Sequence, residues 1–156
     1  MEDQPKDKME YGFAPHLMLN CFGCSQEKLS DVALITQTLA SFPEKIGTSR
    51  VIDPQVFKYE GADLSDSGIS GVVLIAEGHI TIHTSPAKRH AFIDIFSSKD
   101  FDASSAVAYM VGIFEAASHE AELSNRGLEF PKHARRATDT IEREQGVSAS
   151  EPRLYN

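Results

Sequence analysis

Gly68-Ile69-Ser70-Gly71-Val72-Val73-Leu74-Ile75-Ala76-Glu77-Gly78-His79-Ile80-Thr81-Ile82-His83-Thr84 is the stretch that decides the fold. Ile69 to Glu77 is mostly apolar and rich in β-branched residues, as a buried strand is. Ile80 to Thr84 alternates apolar and polar side chains with a period of two and reads as a second strand. Ala91 to Phe96 reads as a third, joined to the second through Ser85-Pro86-Ala87-Lys88-Arg89.

Upstream, His16 to Cys21 is a short apolar run that predicts the first strand, broken by Gly23. Ser25 is placed to cap a helix running to about Ser41. Leu29, Val32, Ile35, Leu39 and Phe42 keep helical spacing along it, and Pro43 is expected to end it. Arg50 to Ile52 and Val56 to Tyr59 read as extended pieces around the turn signal Asp53-Pro54. Gly61 to Gly68 is a polar loop.

Downstream, Asp102 is a cap for a second helix with Ala106, Met110, Ile113, Phe114 and Ala117 on its inner face. An edge strand at Glu120 to Ser124 leads into the turn Asn125-Arg126-Gly127. Two helices and a run of strands predict an α+β protein, a two-layer α/β sandwich on a largely antiparallel sheet. Residues 1–10 are a polar, charged leader expected to lack order, and residues 11–131 form the one domain. Residues 132–156 are charged and lack an apolar stripe, so they read as a mobile tail with room for one short helix.

The 156 residues suffice to bury a core. The hydrophobic fraction of 41% and charged fraction of 24% are those of an ordinary soluble domain. A net charge of −8 with no basic block argues against nucleic acid as a partner. It suits a small cation such as a sulfonium or a polyamine. The longest apolar runs are too short to cross a bilayer, and the N-terminus is not a secretory signal, so a cytoplasmic location is expected.

Cys21 and Cys24 form a Cys-x-x-Cys pair without the second pair that a zinc finger needs. A dithiol is one reading; the favoured one is a half-buried cysteine and a turn cysteine. His79 and His83 share the spacing of a helical zinc pair. On a strand, however, they stand roughly 13 Å apart, so no metal site is expected. Alternation puts Gly78 and His83 on opposite faces, so a site using both requires a bend or bulge near Gly78. Ser70 reads equally as a polar strand start or a functional group. Of Phe57 and Tyr59, at least one is expected in the core.

Several spaced motifs together resemble the prokaryotic, pyruvoyl-dependent S-adenosylmethionine decarboxylases, over about Tyr11 to Pro131. Gly12-Phe13-Ala14-Pro15-His16-Leu17 is similar to the family's opening Gly-x-His-Leu, with a longer gap. Gly68 to Glu77 resembles the strand leading to the self-cleavage site. His79, Ile82, His83, Thr84 and Pro86 resemble Ser-His-x-x-Ile-His-Thr-x-Pro. Asp94-Ile95-Phe96-Ser97-Ser98 resembles Asp-x-Phe-x-Cys, and Arg126-Gly127 the late Arg-Gly.

The resemblance implies that the family's serine, which attacks the preceding carbonyl and becomes the pyruvoyl electron sink, is replaced here by Gly78. Without a side chain no pyruvoyl can form there, and no cofactor is expected. Ser98 stands where the family has a proton-donating cysteine, and Ala87 where it has an acidic substrate-holding residue. Ser70 and His83 match the family's processing residues. With Ser98 they are the candidate catalytic positions, while Phe57, Tyr59, Glu77, Gly78 and His79 are candidate substrate-binding positions.

Three functions follow from the resemblance. One is a non-decarboxylating regulator that binds S-adenosylmethionine or a relative, as a homodimer or beside an active paralogue. Another is a repurposed lyase acting on S-adenosylmethionine without pyruvoyl. The alternative is the S-adenosylmethionine decarboxylase of spermidine biosynthesis in a processing-blocked form.

Overall fold

A computed structural model describes residues 14–129. Six strands form one antiparallel sheet in the order β2-β3-β4-β5-β1-β6. They are β1 (Ala14–Phe22), β2 (Gln55–Tyr59), β3 (Gly68–Ile75), β4 (Gly78–Ser85), β5 (His90–Ser97) and β6 (Ser118–Arg126). Helices α1 (Gln26–Leu29), α2 (Val32–Lys45) and α3 (Ala103–Phe114) complete the fold. The expected α+β sandwich is the observed architecture. The expected leader and tail, residues 1–10 and 132–156, lie outside the described residues.

Strand alternation sorts the two faces of the sheet. Leu17, Leu19 and Cys21 of β1, Ile69, Val73 and Ile75 of β3, Ile80 and Ile82 of β4, and Ala91, Ile93 and Ile95 of β5 are all buried. They meet Leu29 of α1, Ile35, Leu39 and Phe42 of α2, and Ala106, Met110 and Phe114 of α3. Each Leu, Ile, Val, Phe or Met among them contributes about 1.5–3 kcal/mol when fully removed from water. Helix α2 lies over β2 and β3, and α3 over β1 and β6. Gly71 lets α2 approach, since a Cβ there would stand 2.7 Å from Leu39 Cδ1. The buried Thr84 hydroxyl donates to the Leu29 carbonyl at 2.8 Å and accepts from the Ile69 amide at 3.1 Å, tying the first helical turn to the sheet.

The first helix departs from expectation in two ways. Ser25 does cap a helix, but that helix ends at Leu29, and Asp31 caps a new one by accepting from the Leu34 amide at 2.9 Å. Two local caps within six residues outcompete the continuous apolar spacing. Pro43 does not end α2, which continues to Lys45. A proline in the last turn forfeits one hydrogen bond and leaves the remaining carbonyls free to close the end. The Pro43 carbonyl does so by accepting from Ile46 and Thr48.

The central strands are reset by a turn. Strand β3 stops at Ile75, and Ala76-Glu77 form a two-residue connection with Ile75 opposite Gly78. Glu77 takes φ +63°, an unusual value for a non-glycine residue. Strand β4 then pairs without interruption from Gly78 opposite Ser97 to Ser85 opposite His90. No bulge stands at Gly78, so β4 lacks the feature that a site using both Gly78 and His83 requires. Arg50 makes only an isolated bridge to Ile75, and β6 is longer than expected, reaching Arg126. Asp102 caps α3 as expected, accepting from the Ser105 amide at 3.0 Å.

Candidate functional site

All three helices cover one face of the sheet, and the side chains of the other face form rows that the register aligns. One row crosses all six strands: Phe57, Ser70, His83, Phe92, Asn20 and Glu120 stand directly opposite one another in turn. At its centre the Ser70 hydroxyl and His83 Nδ1 share a hydrogen bond of 2.8 Å. The pair is flanked by Phe57, 64% exposed, and Phe92, 42% exposed. Tyr59, 48% exposed, stands one step along β2 on the same face. Phe57 and Tyr59 are therefore both outside the core, against the expectation that at least one packs inside. A short edge strand leaves its outer face to solvent.

Two depressions adjoin this row and share Phe92. One, of about 280 Å³, is lined by Tyr59, Asp66, Ser67, His83, Ser85, Lys88, His90 and Phe92. The Ser85 hydroxyl is buried without a hydrogen-bond partner among the described residues. The other, of about 540 Å³, is lined by Met18, Asn20, Phe92, Asp94, Glu120 and Glu122. The first is aromatic and polar, and the second is acidic.

A second row lies nearer the β3–β4 turn: Leu74, His79, Phe96, His16 and Ser124. The Arg126 guanidinium sits 4.6 Å above the Phe96 ring, and the His79 ring centre is 5.6 Å from that of Phe96. His16 Nε2 donates to Asp94 Oδ1 at 3.0 Å. These contacts order four strands around one aromatic ring. His79 and His83 share the open face two rows apart, and no group of three metal-ligating side chains occurs among the described residues.

The turn itself is held from β5. The Ser98 amide donates to the Glu77 carbonyl at 3.0 Å, and the Ser98 hydroxyl donates to Glu77 Oε2. Gly78 follows on the helix-facing side, packed against backbone. A Cβ at that position would stand 2.0 Å from the Phe96 carbonyl oxygen and 3.0 Å from Ser97 Cα. A side chain at 78 therefore needs a shift of β5.

The candidate positions thus separate into two groups. Ser70, His83, Phe57 and Tyr59 lie together on the open face, and Glu77, Gly78 and Ser98 at the turn. Gly78 and His83 are five residues apart on an unbroken strand, about 17 Å. His79 joins the second row. Phe92, Asp94, Phe96 and His16 complete the surface and were not among the candidates. Alternation along β5 puts Phe92, Asp94 and Phe96 on that face, and the register of β1 against β5 brings His16 to them. Ala87 is exposed in the β4–β5 turn.

Cys24 lies in the connection between β1 and α1, as expected of a turn cysteine, but Cys21 and Cys24 are both fully buried, which corrects the expectation that one is half-buried. Burial, with the neighbouring Cys24, pushes the Cys21 thiol up to about 12, and burial raises Cys24 as well. Raised thiol pKa values remove the nucleophilic form that dithiol chemistry needs.

Among the described residues no helix is long and apolar enough to cross a membrane. The family model described as S-adenosylmethionine decarboxylase matches residues 15–127. The S-adenosylmethionine decarboxylase proenzyme of Bacillus velezensis is 31% identical over 113 residues, covering 72% of this chain and 85% of that protein. The proenzyme of Pyrococcus furiosus is 34% identical over 116 residues, covering 73% and 78%. The crystal structure of the adenosylmethionine decarboxylase from Aquifex aeolicus superposes with a TM-score of 0.62 at 22% identity, over 75% of this chain and 92% of that one, a likeness of fold. With the six-stranded sheet and a family match that spans nearly all of the described residues, the chain belongs to the S-adenosylmethionine decarboxylase family.

Proposed function

We propose that this chain is a member of its family that does not cleave itself, and that it binds S-adenosylmethionine or a related sulfonium nucleoside as a regulator or partner subunit. The observation that carries the reading is the packing at position 78. A pyruvoyl group is made from a serine of the chain, and it supplies a ketone that withdraws electrons from the substrate. Gly78 offers no hydroxyl, and the space that a Cβ would fill is taken by the Phe96 carbonyl oxygen at 2.0 Å. The residues around Gly78 do not fit that group.

The open face supports the binding half of the reading. A sulfonium nucleoside has a flat aromatic base at one end and a cation at the other. Phe57, Tyr59, His83 and Phe92 gather aromatic rings toward the β2 end of the row, where a base can stack. Asp94, Glu120 and Glu122 present carboxylates on the other, where a cation is favoured. The Ser70–His83 hydrogen bond fixes the imidazole between the two. In this reading His83 and Ser70 orient ligand and move no proton.

The homodimer is part of the same proposal. An open sheet face carrying Phe57, Tyr59, Leu74 and Phe92, each more than 40% exposed, is an apolar surface of the kind that a second copy covers. Sedimentation of the purified chain tests it: a dimer is expected, and a monomer at all concentrations contradicts it.

Ligand binding is tested by thermal shift with S-adenosylmethionine, methylthioadenosine, adenosine and spermidine. A rise in melting temperature with the sulfonium compound is expected, weakened in Phe57→Ala and His83→Ala. No shift with any of the four overturns the binding half and leaves the intact-chain half standing.

A further inference from the structure

Strand β6 is an outer edge of the sheet. Among the described residues it pairs with β1 alone, from Ala14 opposite Arg126 to Phe22 opposite Ser118, with no bulge. Sheets ordinarily blunt such an edge by short length, lysine, proline or a bulge. The opposite edge does so: β2 has five residues, carries Lys58 and follows Pro54. Strand β6 has nine residues, with neither lysine nor proline. Its helix-facing side is also left uncovered. A groove of about 550 Å³ runs between α3 and β6, with His119, Ala121 and Leu123 on the strand side, and Leu123 is 53% exposed there.

We propose that β6 pairs antiparallel with β6 of a second copy of this chain, joining two sheets into one across a two-fold axis at Leu123. This edge contact is separate from the open-face contact of the homodimer and does not rest on it. Two observations select a second copy as the occupant, and a third sets its strength.

The first is the helix layer. Helix α3 lies over β1 and β6. Neighbouring strands are about 4.8 Å apart, so pairing the two β6 edges brings the two α3 helices to about 10 Å. Packed helices stand about 8–10 Å apart. Two open grooves thus become one closed seam. Its α3 side is Ala103, Ser104, Val107, Ala108 and Val111, all small or β-branched, and α3 carries no charged residue from Ala103 to Phe114. Closing the seam therefore buries no charge of the helix.

The second is charge along the strand. A two-fold pair keeps side chains on matching faces only when its axis passes through a residue. An axis at Glu122 sets that carboxylate against itself. An axis at Leu123 sets Glu120 opposite Arg126 of the second copy, Glu122 opposite Ser124, and Leu123 against itself on the groove side. Moving the axis on to Ser124 shortens the overlap from 120–126 to 122–126. The third observation is size. Nine residues of β6 and five of α3 are about half of the 20–30 residues a side that a standard interface uses. The edge contact is accordingly weak and forms at high protein concentration.

A single cysteine on β6 of the full chain tests the pairing. With the axis at Leu123, residue 123 meets itself with Cα atoms about 4.5–5.5 Å apart, within disulfide reach. Residue 119, on the same face, stands about 27 Å from its own copy. Cys21 and Cys24 are buried and do not compete. Under a mild oxidant at high protein concentration, Leu123→Cys is expected to double in mass on a non-reducing gel, and His119→Cys to stay single. Adding Ala108→Arg or Ser104→Arg, either of which crowds the seam between the helices, is expected to lower the crosslinked fraction severalfold. A thermal melt confirms that each variant is folded. Equal crosslinking at 123 and 119 reports random collision and overturns the proposal. So does a Leu123→Cys chain that stays single, or crosslinking at 123 that both arginine variants leave unchanged.

Discussion

Ser98 holds Glu77 twice: its amide donates to the Glu77 carbonyl at 3.0 Å, and its hydroxyl donates to the Glu77 carboxylate. The grip falls on a residue at φ +63°, so it stabilises a turn that the Glu77 backbone alone disfavours. Replacing Ser98 with Ala removes the side-chain bond and keeps the backbone one. A loss of about 0.5–1 kcal/mol is expected, because the bond is partly solvated. Chemical denaturation of the Ser98→Ala protein measures it.

Helix α3 ends on Glu115 in the left-handed conformation, φ +51° and ψ +45°. That position favours glycine, and an acidic side chain there also faces the negative end of the helix dipole. Glu115→Gly is expected to raise stability by about 0.5–1 kcal/mol, read as an increase in denaturation midpoint without a change in slope.

The two thiols are expected to be inert in the native protein. With the Cys21 thiol pushed up to about 12 by burial, almost none is ionised near neutral pH. A thiol reagent should therefore titrate neither Cys21 nor Cys24 at pH 8 and both in denaturant. Rapid native reaction of either contradicts this account of the Cys-x-x-Cys pair.

Asp102 gives the pH test. Hydrogen bonds from the Ser105 hydroxyl and amide hold its carboxyl below the ordinary carboxylate range. A depressed folded-state pKa means that the charged cap stabilises α3 above the unfolded-state value. That contribution is lost as pH falls through the lower folded-state value. Asp102→Ala should thus be less stable than the parent at neutral pH, with the difference shrinking on acidification below the usual carboxylate range. Parallel stability curves for the two proteins down to low pH contradict it.

The strands were legible because Ile80, Ile82 and their neighbours alternate, and a period of two is the pattern that a half-buried strand imposes. The break between Leu29 and Val32 was not, since both residues fit one helical stripe and only the competing caps at Ser25 and Asp31 divide it. Site residues were legible in kind and not in arrangement. Ser70 and His83 meet because β3 and β4 form a hairpin, whose register follows from the two-residue turn. The separation of Gly78 from them was the exception, legible because the period of two along β4 puts Gly78 and His83 on opposite faces. Phe92 enters the row opposite His83 through the β4–β5 hairpin, and Asn20 enters through the pairing of β1 with β5, strands distant in sequence.

Position 78 bears most directly on the claim that this family member does not cleave itself. The measurement is the intact mass of the purified chain and of its Gly78→Ser variant. The account predicts one uncut chain of 17.1 kDa for the parent. For the variant it predicts one uncut chain of lower stability, by about 1–3 kcal/mol, because the added atoms press on the Phe96 carbonyl. Two fragments divided between residues 77 and 78, with a ketone at the new N-terminus, would contradict it.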